Sequence, residues 1–294
     1  MAHNRIGLVL FWMTGALLSF STMAVCIRGL AGVLNVFEIL SIRSGSGFLV
    51  LGTLALLRPA LQREIRLDLI RIHLLRNTIH FGAQVGWTKS LTLLPLATVF
   101  ALEFTTPAWV ALLAVVILGE RMTITRAATV LLGLLGVIII VRPGLGDFQP
   151  AALLVIAAAV GFAITFVATK KLTGTESTFA ILFWMNLIQL PMNLVGSDPL
   201  FLTKLQAGHL LPVAGVIVSG LASHFCITNA FRSGDALLVV PLDFVRLPLI
   251  ALVGWMFYAE GLDALVFVGA GFILAGIILN VWAESRRGDA SSSA

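Results

Sequence analysis

Gly86-Trp-Thr-Lys-Ser-Leu91 reappears in altered form as Cys226-Ile-Thr-Asn-Ala-Phe231. The offset is 140 residues, and it also lays Ala101-Leu-Glu-Phe on Pro241-Leu-Asp-Phe, Glu120 on Glu260 and Gly136 on Gly276. An offset of 142 lays Phe20 on Phe162, Leu30 on Leu172, Gly32 on Gly174 and Phe37-Glu-Ile-Leu on Phe179-Ala-Ile-Leu. Self-similarity over this length divides the chain into two copies of one unit. The units are residues 1–146 and 147–284, followed by a Ser-rich segment, 285–294, that reads as a disordered cytoplasmic tail.

Each unit holds five apolar runs near the length of about 20 residues that crosses a bilayer core. They lie near 6–27, 36–57, 75–94, 98–118 and 124–141, then 151–169, 178–195, 209–231, 237–258 and 262–282. The chain is 59% hydrophobic and 11% charged, against roughly a quarter charged in a soluble domain. The runs are too long and too uniformly apolar for the alternating strands of an outer-membrane barrel. The first run, after Arg5, has the outline of a leader peptide, but cleaving it would remove the partner of the sixth. The fold class is therefore an all-α membrane protein. Its ten transmembrane helices form two five-helix repeats around a central cavity. An odd number of spans inverts the second repeat, and inverted repeats are the architecture of alternating-access secondary transporters.

Lys and Arg set the orientation. An inside N-terminus gives thirteen of them to the cytoplasm, from Arg5 and the 58–76 segment to Arg287, and only Arg28, Arg142 and Lys204 to the outside. Both termini are thus expected in the cytoplasm, with the chain in the inner membrane. The net charge of +5 then reflects topology, and no nucleic-acid partner is expected. The lipid bilayer and a small-molecule substrate are the partners, with the chain a monomer or homodimer. Cys26 and Cys226 fall near opposite faces and should not bond. The chain has no P-loop, no HExxH and no CxxC, and its five His lack metal-ligand spacing. No enzyme activity, metal or cofactor is expected.

Ionisable groups inside spans are costly and so become functional candidates. Glu103 and Asp243 are repeat equivalents, as are Gln84 and His224, and Lys89 and Asn229. Counted from the hairpin tip near Pro95 at ~1.5 Å per residue, Lys89 and Glu103 lie at equal depth and read as an ion pair. Asp243 has Arg246 one turn on. Arg43 reads as a partner of Glu103 or Glu38, or as snorkelling outward. Each pair is either a structural staple or part of a gate or substrate contact. His80, Gln84, Trp109, Trp184, His224 and Arg246 are the polar and aromatic groups placed nearest mid-membrane, and are the candidate cavity lining. Pro107 and Pro248 fall in the fourth and ninth spans and are expected to kink them. Gly133 and Gly136, with Gly269, Gly271 and Gly276, give small faces for close helix contact, either within the molecule or between two copies.

Thr106-Pro107, then Gly119-Glu120-Arg121 and the helix ending Gly136-Val-Ile-Ile-Ile, form a pattern that returns in the second unit. There it is Leu247-Pro248, Ala259-Glu260, Gly269-Ala-Gly and Gly276-Ile-Ile-Leu. In these residues the chain resembles the EamA family of the drug/metabolite transporter superfamily, over almost its entire length. The second copy departs by flanking its glutamate with Ala259 and Gly261. The resemblance implies ten helices around a central cavity, with the fifth and tenth set apart from it. It also implies export of amino acids, aromatic ones included, or similar small metabolites. The alternatives are export of drugs, nucleosides or other neutral metabolites, and a membrane scaffold or sensor without transport.

Overall fold

The computed structural model describes residues 2–30, 32–91, 93–94, 99, 102–141, 150–249, 252, 256 and 264–292. Glu260 and the turn at Pro95 lie outside these residues. The first half contains α1 (Ala2–Leu30), α2 (Val36–Leu57), α3 (Ile70–Leu91), α4 (Thr106–Leu113, extended by a π-turn Ala114–Leu118) and α5 (Ile124–Val141). The second contains α6 (Ala151–Leu172), α7 (Thr178–Leu194), α8 (Leu210–Ser233), α9 (Ala236–Val239, running into 3-10 turns Val240–Val245) and α10 (Ala264–Ser292). Arg5–Ile27, Val36–Leu57, Ala151–Leu172, Ala207–Ser233 and Ala264–Glu284 are each long and apolar enough to span a bilayer alone. The apolar stretches Thr106–Leu118, Ile124–Ile140 and Thr178–Leu194 are shorter. Ile124, Val195 and Leu211 are almost fully exposed, as side chains facing lipid are.

The two halves repeat each other in their packing as well as in sequence. The α1 helix packs along α8, and α6 along α3, which exchanges the two halves. The α2 and α7 helices pair with each other, as do α5 and α10. Even the helix caps correspond. Asn35 Oδ1 accepts the Glu38 N–H at 3.0 Å, while Glu38 Oε2 accepts the Asn35 N–H at 2.7 Å. Ser177, the equivalent of Asn35, accepts the Ala180 N–H at 3.1 Å. Both arrangements satisfy amide protons that the first turn of a helix leaves without partners.

Several expectations change. The α10 helix continues to Ser292, over most of the segment read as a disordered tail. Arg286, Arg287 and Ala290 favour the helix there, while Gly288 costs about 1 kcal/mol. Pro107 does not kink the middle of a helix. The backbone turns at Phe104–Thr105, and Pro107 sits in the first turn of the helix that follows, where a missing N–H costs nothing. The equivalent stretch of the ninth span is the 3-10 segment Val240–Val245, with Pro241 in its first turn and Pro248 in the helical turn beyond it. Both spans are thus broken at corresponding places.

The glycine faces close one contact inside the molecule. A Cβ on Gly136 would stand 2.5 Å from the Gly269 carbonyl oxygen, and one on Gly269 would stand 2.6 Å from the Gly136 carbonyl oxygen. Thr129 Oγ1 donates to the Gly276 carbonyl at 2.8 Å, across the same α5–α10 seam. Backbone cannot step aside as a side chain can. Gly136→Ala should therefore destabilise the protein by about 1–3 kcal/mol. Gly271 faces open space, so Gly271→Ala should hold or slightly raise the melting temperature in detergent, alanine being the better helix former. Equal melting of the two variants would show that the seam is not tightly packed. Cys26 lies against Gly215 and Cys226 against Gly15, at separate points along the α1–α8 contact. Both cysteines are free.

Candidate functional site

The broken spans bring their acids together. Arg246 Nη2 donates to Glu103 Oε1 at 2.9 Å and to Asp243 Oδ2 at 3.1 Å. Glu103 comes from the first half, and Asp243 and Arg246 from the second. Glu103 Oε2 accepts the Trp87 indole N–H at 2.7 Å. The two oxygens of Glu103 therefore go to Arg246 and Trp87, and Lys89, read from the sequence as its partner, is exposed. The Arg246 guanidinium also stands 5.2 Å from the Phe104 ring centre and 5.9 Å from that of Phe20, within cation–π range.

Next to this triad, two histidines face each other. The His80 and His224 rings are 5.6 Å apart and nearly perpendicular. Phe162 lies edge-on to His80 at 5.8 Å and Phe20 edge-on to His224 at 6.0 Å. Phe20 and Phe162 are themselves repeat equivalents, so each half supplies one phenylalanine and one histidine. Neither ring nitrogen of His80 has a hydrogen-bond partner, nor does Nε of Arg246, and all three atoms are buried. Buried polar atoms are nearly always paired.

The remaining candidates take different places. Gln84 joins the layer through Arg43, whose Nη2 lies 3.5 Å from its amide oxygen. Arg43 meets neither Glu38 nor Glu103; its nearer acceptor is Gln189 Oε1 at 3.0 Å. Glu38 instead binds Lys204 at 2.7 Å in the α7–α8 connection. There, the bond to Glu38 and then that to Asp198 raise the Lys204 ammonium above its usual range. Trp109 lines an apolar groove of about 360 Å³ with Leu102, Thr105, Ala108 and Leu112, and its indole N–H is buried without an acceptor. Trp184 meets groups other than the histidine layer. It donates to the Arg66 carbonyl at 3.2 Å, in the α2–α3 connection, and lies 5.9 Å from His73. Its partners thus come from the α2–α3 connection and the first turn of α3.

Arg76 is the functional candidate that charge counting misplaced. Assigned to a cytoplasmic loop, it lies inside α3 and is 2% exposed. The spacing of His73, Arg76, Asn77, His80 and Gln84 puts all five on one helical face, and that periodicity was the signal for a buried polar stripe.

At the end where α4 runs out, Gly119 takes a left-handed conformation, φ 69°, which glycine adopts without strain. This turns Glu120 back across the molecule. Its two oxygens accept the Ala236 and Leu237 N–H groups at 2.8 and 2.9 Å. Glu120 of one half thereby caps α9 of the other. Arg126 reinforces this end through Asp235 and Glu284, both at 2.8 Å. Lys170 Nζ binds the Phe231 and Gly234 carbonyls at 2.8 and 2.6 Å, at the close of α8. A cleft of about 630 Å³ lies at this mouth, lined by Glu120, Arg121, Arg126 and Asp235 among others. It is the larger of the two cavities described, but it belongs to the closure of this end and not to the histidine layer.

Comparison with known proteins agrees with this architecture. The EamA-like transporter family matches the chain twice, over residues 7–142 and 149–282. A riboflavin transporter of Rhizobium johnstonii is 30% identical over 222 residues, 73% of this chain and 71% of that protein. An S-adenosylmethionine uptake transporter of Rickettsia felis is 26% identical over 216 residues, 73% of each protein. A pseudopaline exporter of Pseudomonas aeruginosa is 27% identical over 269 residues, 88% of this chain and 91% of that protein. A solved crystal structure, 16% identical, superposes with a TM-score of 0.77 over 95% of this chain and 98% of its own, and shares the fold. With two matches that together span nearly its whole length, the chain belongs to the EamA-like transporter family and is a multi-pass membrane transporter built from two inverted repeats.

Proposed function

We propose that the chain exports amino acids or similar small metabolites across the inner membrane by alternating access, with both termini in the cytoplasm. One observation carries this reading. The two broken spans, equivalent in sequence, meet at Glu103, Asp243 and Arg246 beside the His80–His224 pair. Irregular backbone at membrane depth is tolerated where it lines a path for solute, and inverted repeats place that path at their shared midpoint. His80, His224 and Arg246 supply polar contacts there. Phe20 and Phe162 offer flat apolar faces to a side chain or ring.

The relatives named for riboflavin and S-adenosylmethionine favour a second reading, in which the cargo is a larger ring-bearing metabolite. Counterflow in proteoliposomes separates the two. The labelled panel would hold amino acids, nucleosides, riboflavin and S-adenosylmethionine. Saturable counterflow of amino acids is expected, with His80→Ala and His224→Ala each lowering it about tenfold, the scale of one lost polar contact. Transport by both variants at the parental rate would remove the histidine layer from the site. Flux that rises linearly with concentration, with no counterflow, would indicate a channel.

A further inference from the structure

The polar face of α3 holds more positive charge than nearby acids balance. His73 has Glu176, 2.6 Å away. Arg76, one turn on, has only neutral acceptors. Its Nε reaches Thr169 Oγ1 at 2.7 Å, its Nη1 reaches Asn77 Oδ1 at 2.9 Å, and its Nη2 lies 3.9 Å from the Met185 sulfur. Arg43 has the amide oxygens of Gln189 and Gln84. The two arginines share one hydrogen-bonded chain, because Gln189 Nε2 donates at 3.2 Å to the same Asn77 oxygen that Arg76 binds. Both are at least 95% buried. Among the described residues no carboxylate makes a salt bridge with either.

Burying one guanidinium without a counter-charge costs several kcal/mol, and placing two together adds their repulsion. The other half does without them. The equivalent positions in the second half are Met185 and Val216, both buried, so apolar side chains fill the corresponding sites of the same fold. The second half also makes room for the charge. Gly220 is the equivalent of His80, and a Cβ there would stand 2.5 Å from Arg43 Cγ. One turn beyond Arg76, the unpaired nitrogens of His80 border the same layer.

We propose that Arg43 and Arg76 form an anion subsite that receives the carboxylate of the transported solute. The proposal rests on the carrier reading above and gives it a chemical class. Guanidinium groups suit this role because they stay charged and offer paired donors to a carboxylate. Gln189 and Asn77 hold the two arginines in place, and the His80–His224 pair is left to contact the remainder of the solute.

The test uses acid–amide pairs on the purified full-length protein: L-phenylalanine with L-phenylalaninamide, and L-leucine with L-leucinamide. Binding is read as the rise in melting temperature with concentration. The acids should bind about tenfold more tightly than the amides, the loss expected when a charge-assisted contact is removed. Arg43→Met and Arg76→Val, which copy the other half, should bring that ratio close to one. Arg43→Lys should keep part of it, which a purely structural arginine would not require. Amides that bind as well as acids, acids that do not bind, or a preference for acids that survives Arg43→Met and Arg76→Val would each overturn the proposal. The wild-type comparison decides even if a variant does not fold. Counterflow of the same acids is measured separately. Acid-selective binding without counterflow would keep the subsite and reject the carrier reading, while counterflow that does not distinguish acid from amide would do the reverse.

Discussion

Glu103→Ala should destabilise the protein by about 3 kcal/mol and abolish transport, the stability loss being that of a buried ion pair stripped of one partner. Glu103 is 7% exposed and connects two groups. It takes Arg246 on one oxygen and Trp87 on the other, and it sits at the turn that breaks the fourth span. Its loss leaves Arg246 dependent on Asp243 alone, on its own helical turn, and cuts the ion pair between the halves. Asp243 remains at 3.1 Å, so the effect should fall at the low end of the range for such pairs. Glu103→Ala combined with Arg246→Met should be less damaging to stability than the two single losses added, because Glu103 and Arg246 no longer strand each other, while Asp243 loses its partner equally in the single and the double variant. Thermal unfolding in detergent measures the cycle. A coupling below about 0.5 kcal/mol is what independent sites give, and would mean that the pair does not hold the halves together.

The repeat, the spans and the close glycine seam were legible in the sequence because each is written in periodicity and spacing. Helix caps at Asn35 and Ser177 recur at the same offset as the apolar residues around them. The site was harder to read. Depth counting gave Lys89 and Glu103 equal distance from one hairpin tip, but depth says nothing about which helix a side chain faces. The partner found, Arg246, is 143 residues away and is brought near by the crossing of the two halves. The partners of Trp184 were hidden for a related reason. Distance along α7 was judged without the α2–α3 connection, which folds back so that the Arg66 carbonyl meets the indole. Arg76 was lost because the Lys and Arg count treats a charge near a span end as outside the bilayer. Its helical register with His73, Asn77 and His80 was the stronger signal. Pro107 and Pro248 marked the broken spans, but the breaks lie before them, where Phe104, Thr105 and the turns after Pro241 carry no special residue signature.

Glu120→Ala should open the end of the molecule where α9 begins. The wild-type carboxylate accepts two backbone N–H groups, from Ala236 and Leu237. Hydrogen bonds to a charged group contribute about 1.5–3 kcal/mol each, so losing both removes at least about 3 kcal/mol from the docked arrangement. The side chain of Asp235 cannot substitute, because it makes no cap to its own helix and is held at 2.8 Å by Arg126. A difference of that size shifts the balance between docked and undocked states by more than about a hundredfold. Only a state in which α4's end meets α9's start gains from Glu120, so the substitution weakens that state selectively. Hydrogen–deuterium exchange of a peptide covering 236–239 should accelerate at least about tenfold, since those amides lose their acceptor and the segment loses its dock. Glu120→Gln, which keeps one carbonyl acceptor but not the charge, should fall between the parent and Glu120→Ala. Exchange at Ala236 and Leu237 that stays at the parental rate in Glu120→Ala would show that the glutamate does not close this end.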